Sequence, residues 1–384
     1  MPDARPEDRF HLYVHWPFCI RKCPYCDFTS QVPERRWDAD AWRAAYLAEI
    51  ARLGRRTGPR TLGSIYFGGG TPSLAEPAVI GAVADAAARA WEPAPDLEIS
   101  LEANPGTVAK ADLRALRDAG VNRLSVGAQS FDPAGLAALG RIHSVDDTKW
   151  VLDWAHDIFP RLSLDLIAAR PGQSPAAWAA ELAEALTFAG EHVSVYQLTV
   201  EDGTPLSREV AAGRVKMPDE DAALAIFADT RRILAASGRP AYEVSNFARP
   251  GAECRHNLAV WRGADYGGIG PAAHGRLSTA AGLVATRHEP DPAAWLAGPM
   301  PPAETPLSSR ERAGEVAFTA LRTARGLEFS LLARLGVEPG EVLDPDAAAE
   351  SQNLGLLARD AAAIRLTEAG FPVLDAVLSR LLRA

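Results

Sequence analysis

Strand-like and helix-like segments alternate along this chain from residue 11 to about residue 248, and no other feature constrains the fold as much. Short runs rich in Val, Ile, Leu and Tyr, bounded by Gly, Pro or charged residues, read as strands at 11–16, 64–68, 97–103, 123–129, 161–168 and 192–200. Helical stretches separate them at 38–53, 76–90, 110–118, 145–156 and 175–188. A further helix at 219–236 precedes another strand-like segment at 241–248. Each parallel return needs a crossover, so this pattern predicts an α/β protein with a parallel sheet and helices outside it. A closed eight-unit barrel takes about 250 residues; six units predict an open, partial (β/α)6 barrel. Active groups in such sheets gather at the carboxyl ends of the strands.

The chemistry-bearing residues fall at those ends. Cys19, Cys23 and Cys26 follow the first strand with the spacing C-x3-C-x2-C. Iron–sulfur clusters are normally held by four thiolates, so three thiolates leave one iron with a free position. The alternatives are zinc, which usually takes paired C-x2-C or C-x2-H units, and a disulfide. The only other cysteine is Cys254 and no His closely follows the motif. Gly68-Gly69-Gly70-Thr71-Pro72 follows the second strand; glycines let backbone N–H and C=O groups approach a ligand. Glu102, Gln129, Arg141 and Asp165 stand at or just beyond strand ends. Taken singly, each reads as a loop or cap residue. Together they offer groups for an amine, a carboxylate, ribose hydroxyls and an adenine edge, with Arg141 as the planar fork for a carboxylate.

Composition narrows the class. The 384 residues carry a net charge of -9 and are 47% hydrophobic and 23% charged, ordinary for a globular chain and unlike a nucleic-acid binder with a basic face. The acidic, polar start MPDARPEDRF lacks the apolar stretch of a signal peptide, and no run of about eighteen apolar residues spans a membrane. Few cysteines and no targeting segment point to a reducing cytoplasm.

After residue 250 the pattern changes. Residues 251–276 are rich in Gly, His and aromatics and hold His256 beside Cys254, Asn257 and Trp261. A His or Cys can be an axial haem ligand, although on residue chemistry alone a hydrogen-bonded structural His256 is favoured. Residues 289–306 hold several prolines and read as an irregular connection. From 308 a small, mainly helical module of winged-helix kind is expected, with helices at 308–323, 328–336, about 346–358 and 371–384, and one strand or wing near 362–370. The expected division is 1–250 barrel, 251–306 connecting segment with the haem-site motif, and 307–384 C-terminal helical domain.

The runs CIRKCPYCDF, YFGGGTPS, LEANPGT, SVGAQSF, LGRIH and RLTEAG together resemble the radical SAM proteins of the coproporphyrinogen oxidase-like group, in particular its HemW type of haem chaperone. The resemblance implies that Cys19, Cys23 and Cys26 hold a [4Fe–4S] cluster whose open iron is chelated by the amino and carboxylate groups of S-adenosylmethionine (SAM). It implies that Tyr13 and Tyr25 line the SAM site, that Gly69, Gly70 and Thr71 form the loop near the methionine amine, and that Glu102, Gln129, Arg141 and Asp165 are the other SAM contacts. It also implies haem as cargo near His256, with haem-acceptor proteins such as respiratory enzymes as partners; cluster-linked homodimers are conceivable. The alternative within the group is an oxygen-independent coproporphyrinogen III oxidase, in which SAM cleavage starts oxidative decarboxylation of a porphyrinogen. That group carries a fourth Cys just after the third ligand, whereas this chain has Asp27-Phe28 there, which argues against oxidase activity. Two departures from the HemW pattern stand out: Val260 replaces the Tyr of HNxxYW, and Ala168-Ala169-Arg170 replaces a usual Tyr-Gly-Leu run and is expected to alter the pocket floor.

Overall fold

The computed structural model describes residues 5–298 and 301–383. Residues 1–4, at the start of the stretch read as lacking a signal peptide, residues 299–300, within the proline-rich segment, and residue 384 lie outside it. Six consecutive parallel strands form the centre: β1 (Phe10–Trp16), β2 (Thr61–Gly69), β3 (Glu92–Ala103), β4 (Arg123–Gln129), β5 (Arg161–Ala168) and β6 (His192–Gln197). They pair in sequence order, as the alternation of β and α units requires. The crossover helices start where the sequence supplies caps. Asp38 accepts from the Asp40 and Ala41 N–H groups at 3.0 and 3.2 Å. Ser144 and Asp147 form a reciprocal capping box, and Ser174 and Asp219 cap the later helices.

One finding departs from the six-unit reading. Among the described residues the sheet has eleven strands and continues on both sides of the six. Beyond β6 lies a three-residue antiparallel strand, β7 (Asn246–Ala248), shorter than the 241–248 segment expected. On the other side, β8 (Tyr266–Ile269) runs parallel to β1, and β9 (His274–Thr279), β10 (Gly282–Arg287) and β11 (Ala303–Leu307) follow as antiparallel strands. The prolines of 289–306 therefore do not mark a loose connection. Pro292 opens the helix Pro292–Ala297, where its missing N–H costs nothing, and Pro306 sits on an edge strand. Trp295 of that helix is buried and stacks on Trp42 with ring centroids 5.3 Å apart.

From residue 307 a second apolar cluster forms around Leu321, Leu332, Ile364 and Leu381. Helices Ser309–Ala320, Phe329–Ala333, Pro345–Asn353 and Leu374–Leu381 pack on a three-stranded antiparallel sheet of β12 (Leu327–Glu328), β13 (Leu357–Arg359) and β14 (Ala363–Leu366). The helix expected through 358 stops at Asn353. Gly355 takes φ +71°, its N–H bonds the Gln352 carbonyl, and the Leu356 N–H bonds the Ser351 carbonyl, so the chain turns back into β13. Arg262 clamps this unit to the barrel: it donates to both oxygens of Glu7 at 2.8 and 3.0 Å and also to Glu328.

Candidate cluster and SAM site

Alternate residues of the six strands are polar and turn inward. His11, Tyr13 and His15 on β1, Ser64 and Tyr66 on β2, Ser100 and Glu102 on β3, Ser125 on β4, Ser163 and Asp165 on β5, and His192 and Ser194 on β6 share that side, while Leu12, Val14, Ile65, Phe67, Leu101, Leu124, Val126 and Leu164 pack into the hydrophobic core. Parallel strands buried on both faces usually read as unbroken apolar runs. Here the inner face carries a hydrogen-bonded polar column instead: Ser125 Oγ donates to Asp165 at 2.6 Å, Ser163 Oγ donates to Asp165 at 2.9 Å, and Ser163 meets His192 Nδ1 at 2.7 Å.

At the carboxyl ends of the strands this column opens into a cavity of about 480 Å3. Cys19, Cys23, Tyr25, Cys26, Gly69, Gly70, Thr71, Glu102, Gln129, Arg141 and Asp165 all line it. Of the residues expected at the site, only Tyr13 and His256 do not. Tyr13 stands one layer behind, stacked on Tyr66 with centroids 6.3 Å apart and bonded to His15 Nδ1 at 3.1 Å. His256 is 6% exposed; its ring stacks on Tyr66 at 5.1 Å and its Nδ1 meets Ser64 Oγ at 2.9 Å, with Ser64 also meeting His11 at 2.8 Å. Burial pushes His256 down to about 3, so its ring is neutral.

The cysteine loop is pinned at its base. The Cys19 N–H donates to the Gln31 carbonyl at 3.0 Å and the Gln31 N–H to the Pro17 carbonyl at 2.9 Å. Lys22 Nζ reaches the carbonyls of Phe28 and Ser30, each at 3.1 Å, and braces the far side. The glycine run seals against this loop. Gly69 takes φ +110°, and a Cβ on Gly70 would lie 2.6 Å from the Phe18 carbonyl oxygen, so no side chain fits there. The close approach lets the Gly70 N–H bond Trp16 and the Thr71 N–H bond Phe18, at 2.6 and 2.8 Å.

All four cysteines are unpaired, and the three of the motif are half-buried. Thr71 Oγ1 donates to Cys19 Sγ and Arg141 Nη1 to Cys23 Sγ, both at 3.4 Å. Cys26 is held above the usual thiol range by burial, with Cys23 and Cys19 adding to the effect. Three neighbouring thiolates repel one another and favour a cationic centre between them. Arg141 Nε is buried with no hydrogen-bond partner, a donor free for an incoming acceptor. Among the described residues no group of three His, Cys, Asp or Glu side chains is gathered to hold a single metal ion; an iron–sulfur cluster takes each thiolate on a different iron and is wider. The donor set fits that group. Opposite the thiols stand two carboxylates. Burial raises Glu102 to about 7, against a hydrogen bond from Tyr66 OH at 2.9 Å, and burial also raises Asp165.

Comparison with known proteins agrees with this geometry. The Radical SAM superfamily profile matches residues 13–186 and the HemN C-terminal domain profile residues 307–373. A mitochondrial radical S-adenosyl methionine domain-containing protein 1 from Bos taurus is 39% identical over 396 residues, covering 99% of this chain and 88% of that protein. The heme chaperone HemW of Mycobacterium tuberculosis is 35% identical over 386 residues, covering 98% and 96%. The chain belongs to the HemW-type radical SAM family. Membership implies a [4Fe–4S] cluster and SAM as cofactors. The same fold is seen in coproporphyrinogen III oxidase (HemN) from Escherichia coli, with a TM-score of 0.77 at 23% identity, covering 98% of this chain and 91% of that one.

The family's cavity in this chain also contains residues that motif reasoning did not single out. Tyr66, Ser125, Ile167 and Tyr196 line it. For Tyr66, Ser125 and Tyr196 the signal was in the sequence, as the polar member of each alternating pair; Ile167 carried no such signal. The run Ala168-Ala169-Arg170 does not form the pocket floor: Ala168 is fully buried, Ala169 and Arg170 are 5% and 3% exposed, and only the preceding Ile167 lines the cavity.

Proposed function

We propose that this chain binds haem and passes it to haem-requiring proteins, using the cavity for the [4Fe–4S] cluster and SAM. The observation that carries the reading is Phe28. With Asp27 it fills the stretch just after Cys26 in which the oxidase-like group carries a thiol, and it is 62% exposed at the cavity wall. Tyr196, which also lines the cavity, is 44% exposed. Two exposed aromatic side chains and Arg21 in the lining of one cavity suit a flat apolar ligand with carboxylates. Full-length relatives named heme chaperones support the same reading.

Three thiolates holding a cluster would supply an iron with a free position for SAM. The protein's own groups supply the rest: Arg141 offers its unpartnered Nε to a carboxylate, Glu102 and Asp165 accept from hydroxyls or an ammonium, and the Gly69–Thr71 turn brings backbone close. His256 belongs to the proposal as a haem contact. Its ring packs on Tyr66 and does not face the cavity, so the His256→Ala variant is decisive for it: unchanged haem affinity removes His256 from the site. No helix of the described residues is long and apolar enough to cross a membrane.

The test uses anaerobically reconstituted protein with SAM, a reductant and coproporphyrinogen III, followed by mass spectrometry of porphyrin products and 5′-deoxyadenosine. An intact substrate, together with saturable haem binding by the same sample, is the expected result. Decarboxylated porphyrin matched by SAM cleavage overturns the reading in favour of an oxidase.

A further inference from the structure

The loops that follow β4 and β5 meet on one buried carboxylate. Glu181, on the helix Pro175–Leu186, accepts at Oε1 from Ser130 Oγ at 2.6 Å and from the Phe131 N–H at 2.9 Å. Its Oε2 accepts from Arg170 Nη2 and from Gln173 Nε2, the latter at 3.2 Å. Arg170 also donates from Nη1 to the Ile167 carbonyl at 2.8 Å, and its N–H reaches Gln173 Oε1 at 3.2 Å. The two ionic side chains are 4% and 7% exposed. The fit around them is tight: a Cβ on Gly135 would stand 2.5 Å from Ser130 Oγ and 3.0 Å from the Arg170 guanidinium.

Both tethered loops begin with cavity residues. Gln129 ends β4 directly before Ser130, and Ile167 carries the carbonyl that Arg170 grips; both line the cavity. Both loops also hold a residue in the left-handed region, Gln129 at φ +67° and Ala169 at φ +54°. Such conformations are costly for residues with a Cβ and persist only where surrounding contacts over-determine them. The Glu181 network is that set of contacts, since it bonds the residues immediately following Gln129 and Ala169.

A buried ion pair is a poor source of stability, because desolvation consumes most of the attraction. What this one adds is geometry. We propose that Arg170 and Glu181 form a positioning device that fixes Gln129 and Ile167 against SAM, and so sets SAM affinity without touching SAM. The inference rests on the reading of the cavity as the SAM site. Arg170 belongs to the run Ala168-Ala169-Arg170, read from the sequence as a departure from the expected family pattern.

The test separates positioning from folding by removing the charges together. In the Arg170→Leu/Glu181→Gln double variant the Gln oxygen still accepts from the β4 loop, no charge is left unpaired, and only the grip on the β5 loop is lost. The double variant is expected to keep its cluster content and melting temperature and to bind SAM about tenfold more weakly, the size of effect seen for coupled network residues, read from the SAM-induced change in the electron paramagnetic resonance of the reduced cluster. Arg170→Lys in the wild-type background is expected to lose less, since it keeps the charge without the fork. If the double variant fails to fold, Ser130→Ala removes one bond to Glu181 and is expected to weaken SAM binding about threefold. SAM affinity within twofold of wild type in a folded, cluster-loaded variant overturns the positioning role alone. A wild-type cluster that shows no response to SAM overturns the SAM reading, and the device with it.

Discussion

Replacing Glu102 by Gln is expected to change stability with opposite sign at acid and alkaline pH. Burial, aided by Asp165, raises Glu102 from its usual 4.5 to about 7, and the Tyr66 hydroxyl and Gly69 N–H only partly offset this. The folded state therefore holds the proton more tightly than the unfolded chain. Stability falls as pH rises from about 4.5 to about 7 and stays low above that. At 1.36 kcal/mol per unit of pKa, the ionised carboxylate costs the fold about 3 kcal/mol at pH 8 and under about 1 kcal/mol at pH 5. Gln carries no charge to desolvate but exchanges one acceptor for a donor, which costs about 1 kcal/mol in hydrogen bonding. Glu102→Gln should thus stabilise the SAM-free protein by about 2 kcal/mol at pH 8 and leave it neutral or slightly weaker at pH 5. Urea unfolding of cluster-loaded protein at both pH values, with SAM affinity measured alongside, checks this; SAM should bind more weakly throughout. A variant with the same pH slope as wild type would refute the reasoning, because it would mean that Glu102 is ionised at little cost in the folded state.

Other perturbations reach different parts of the molecule. Arg262→Met leaves Glu7, whose side chain is 2% exposed, without its partner; a loss of about 3–5 kcal/mol is expected, checked by denaturant titration, and a change below about 1 kcal/mol would show that the clamp is not needed. Because Arg262 and a backbone bond pull Glu7 below its usual value despite burial, this contribution is present above pH 4.5 and disappears as the solution is acidified below it. Cys23→Ala should keep the fold by circular dichroism but lose cluster absorbance when prepared anaerobically; full absorbance would remove Cys23 from the ligand set. Ala169→Gly relieves a left-handed φ of +54° and should raise stability by about 0.5–1 kcal/mol, measured by thermal unfolding.

The parallel centre of the fold was legible because each β/α unit repeats the same local signal, and Asp38, Ser144, Ser174 and Asp219 cap helices that follow apolar runs. The cysteine, glycine and acidic residues were legible as site candidates because they fell at strand ends, which topology alone brings together. Strands β8 to β11 were not, since Gly267, Gly268, Gly275, Pro302 and Pro306 lie in or beside them and read as turns. Their pairing depends on register against β1 and on edge position, neither of which is local. Arg170 was read as a change in the pocket floor; only the fold shows that its partner is Glu181, eleven residues on, and that both lie behind the wall. Tyr66 and Tyr196 were visible only to a reader who took polar alternation in a parallel strand as the mark of a polar barrel interior.

That polar interior explains where the chain spends stability. The non-glycine residues in the left-handed region among those described are Gln129, Ala169 and Ala272. Gln129 is the last residue of β4, Ala169 the first after β5, and Ala272 the third after β8, so all stand at the carboxyl ends of parallel strands. The carboxylates that burial raises at the cavity, Glu102 and Asp165, lie in the carboxyl-terminal halves of β3 and β5. Backbone strain thus collects at one end of the barrel, while the opposite faces of the same strands are packed with Leu, Val, Ile and Phe. A sheet with an apolar lumen would be more stable but would hold no anionic thiolates and recognise no ammonium or hydroxyl. The distribution of cost along each strand, from apolar outer face to strained polar terminus, is what a ligand-binding rim on a stable frame requires. It follows that ligands at this end should recover part of the cost: cluster and SAM together are expected to raise unfolding stability more in wild type than in Glu102→Gln, because the wild type has one more buried carboxylate to satisfy.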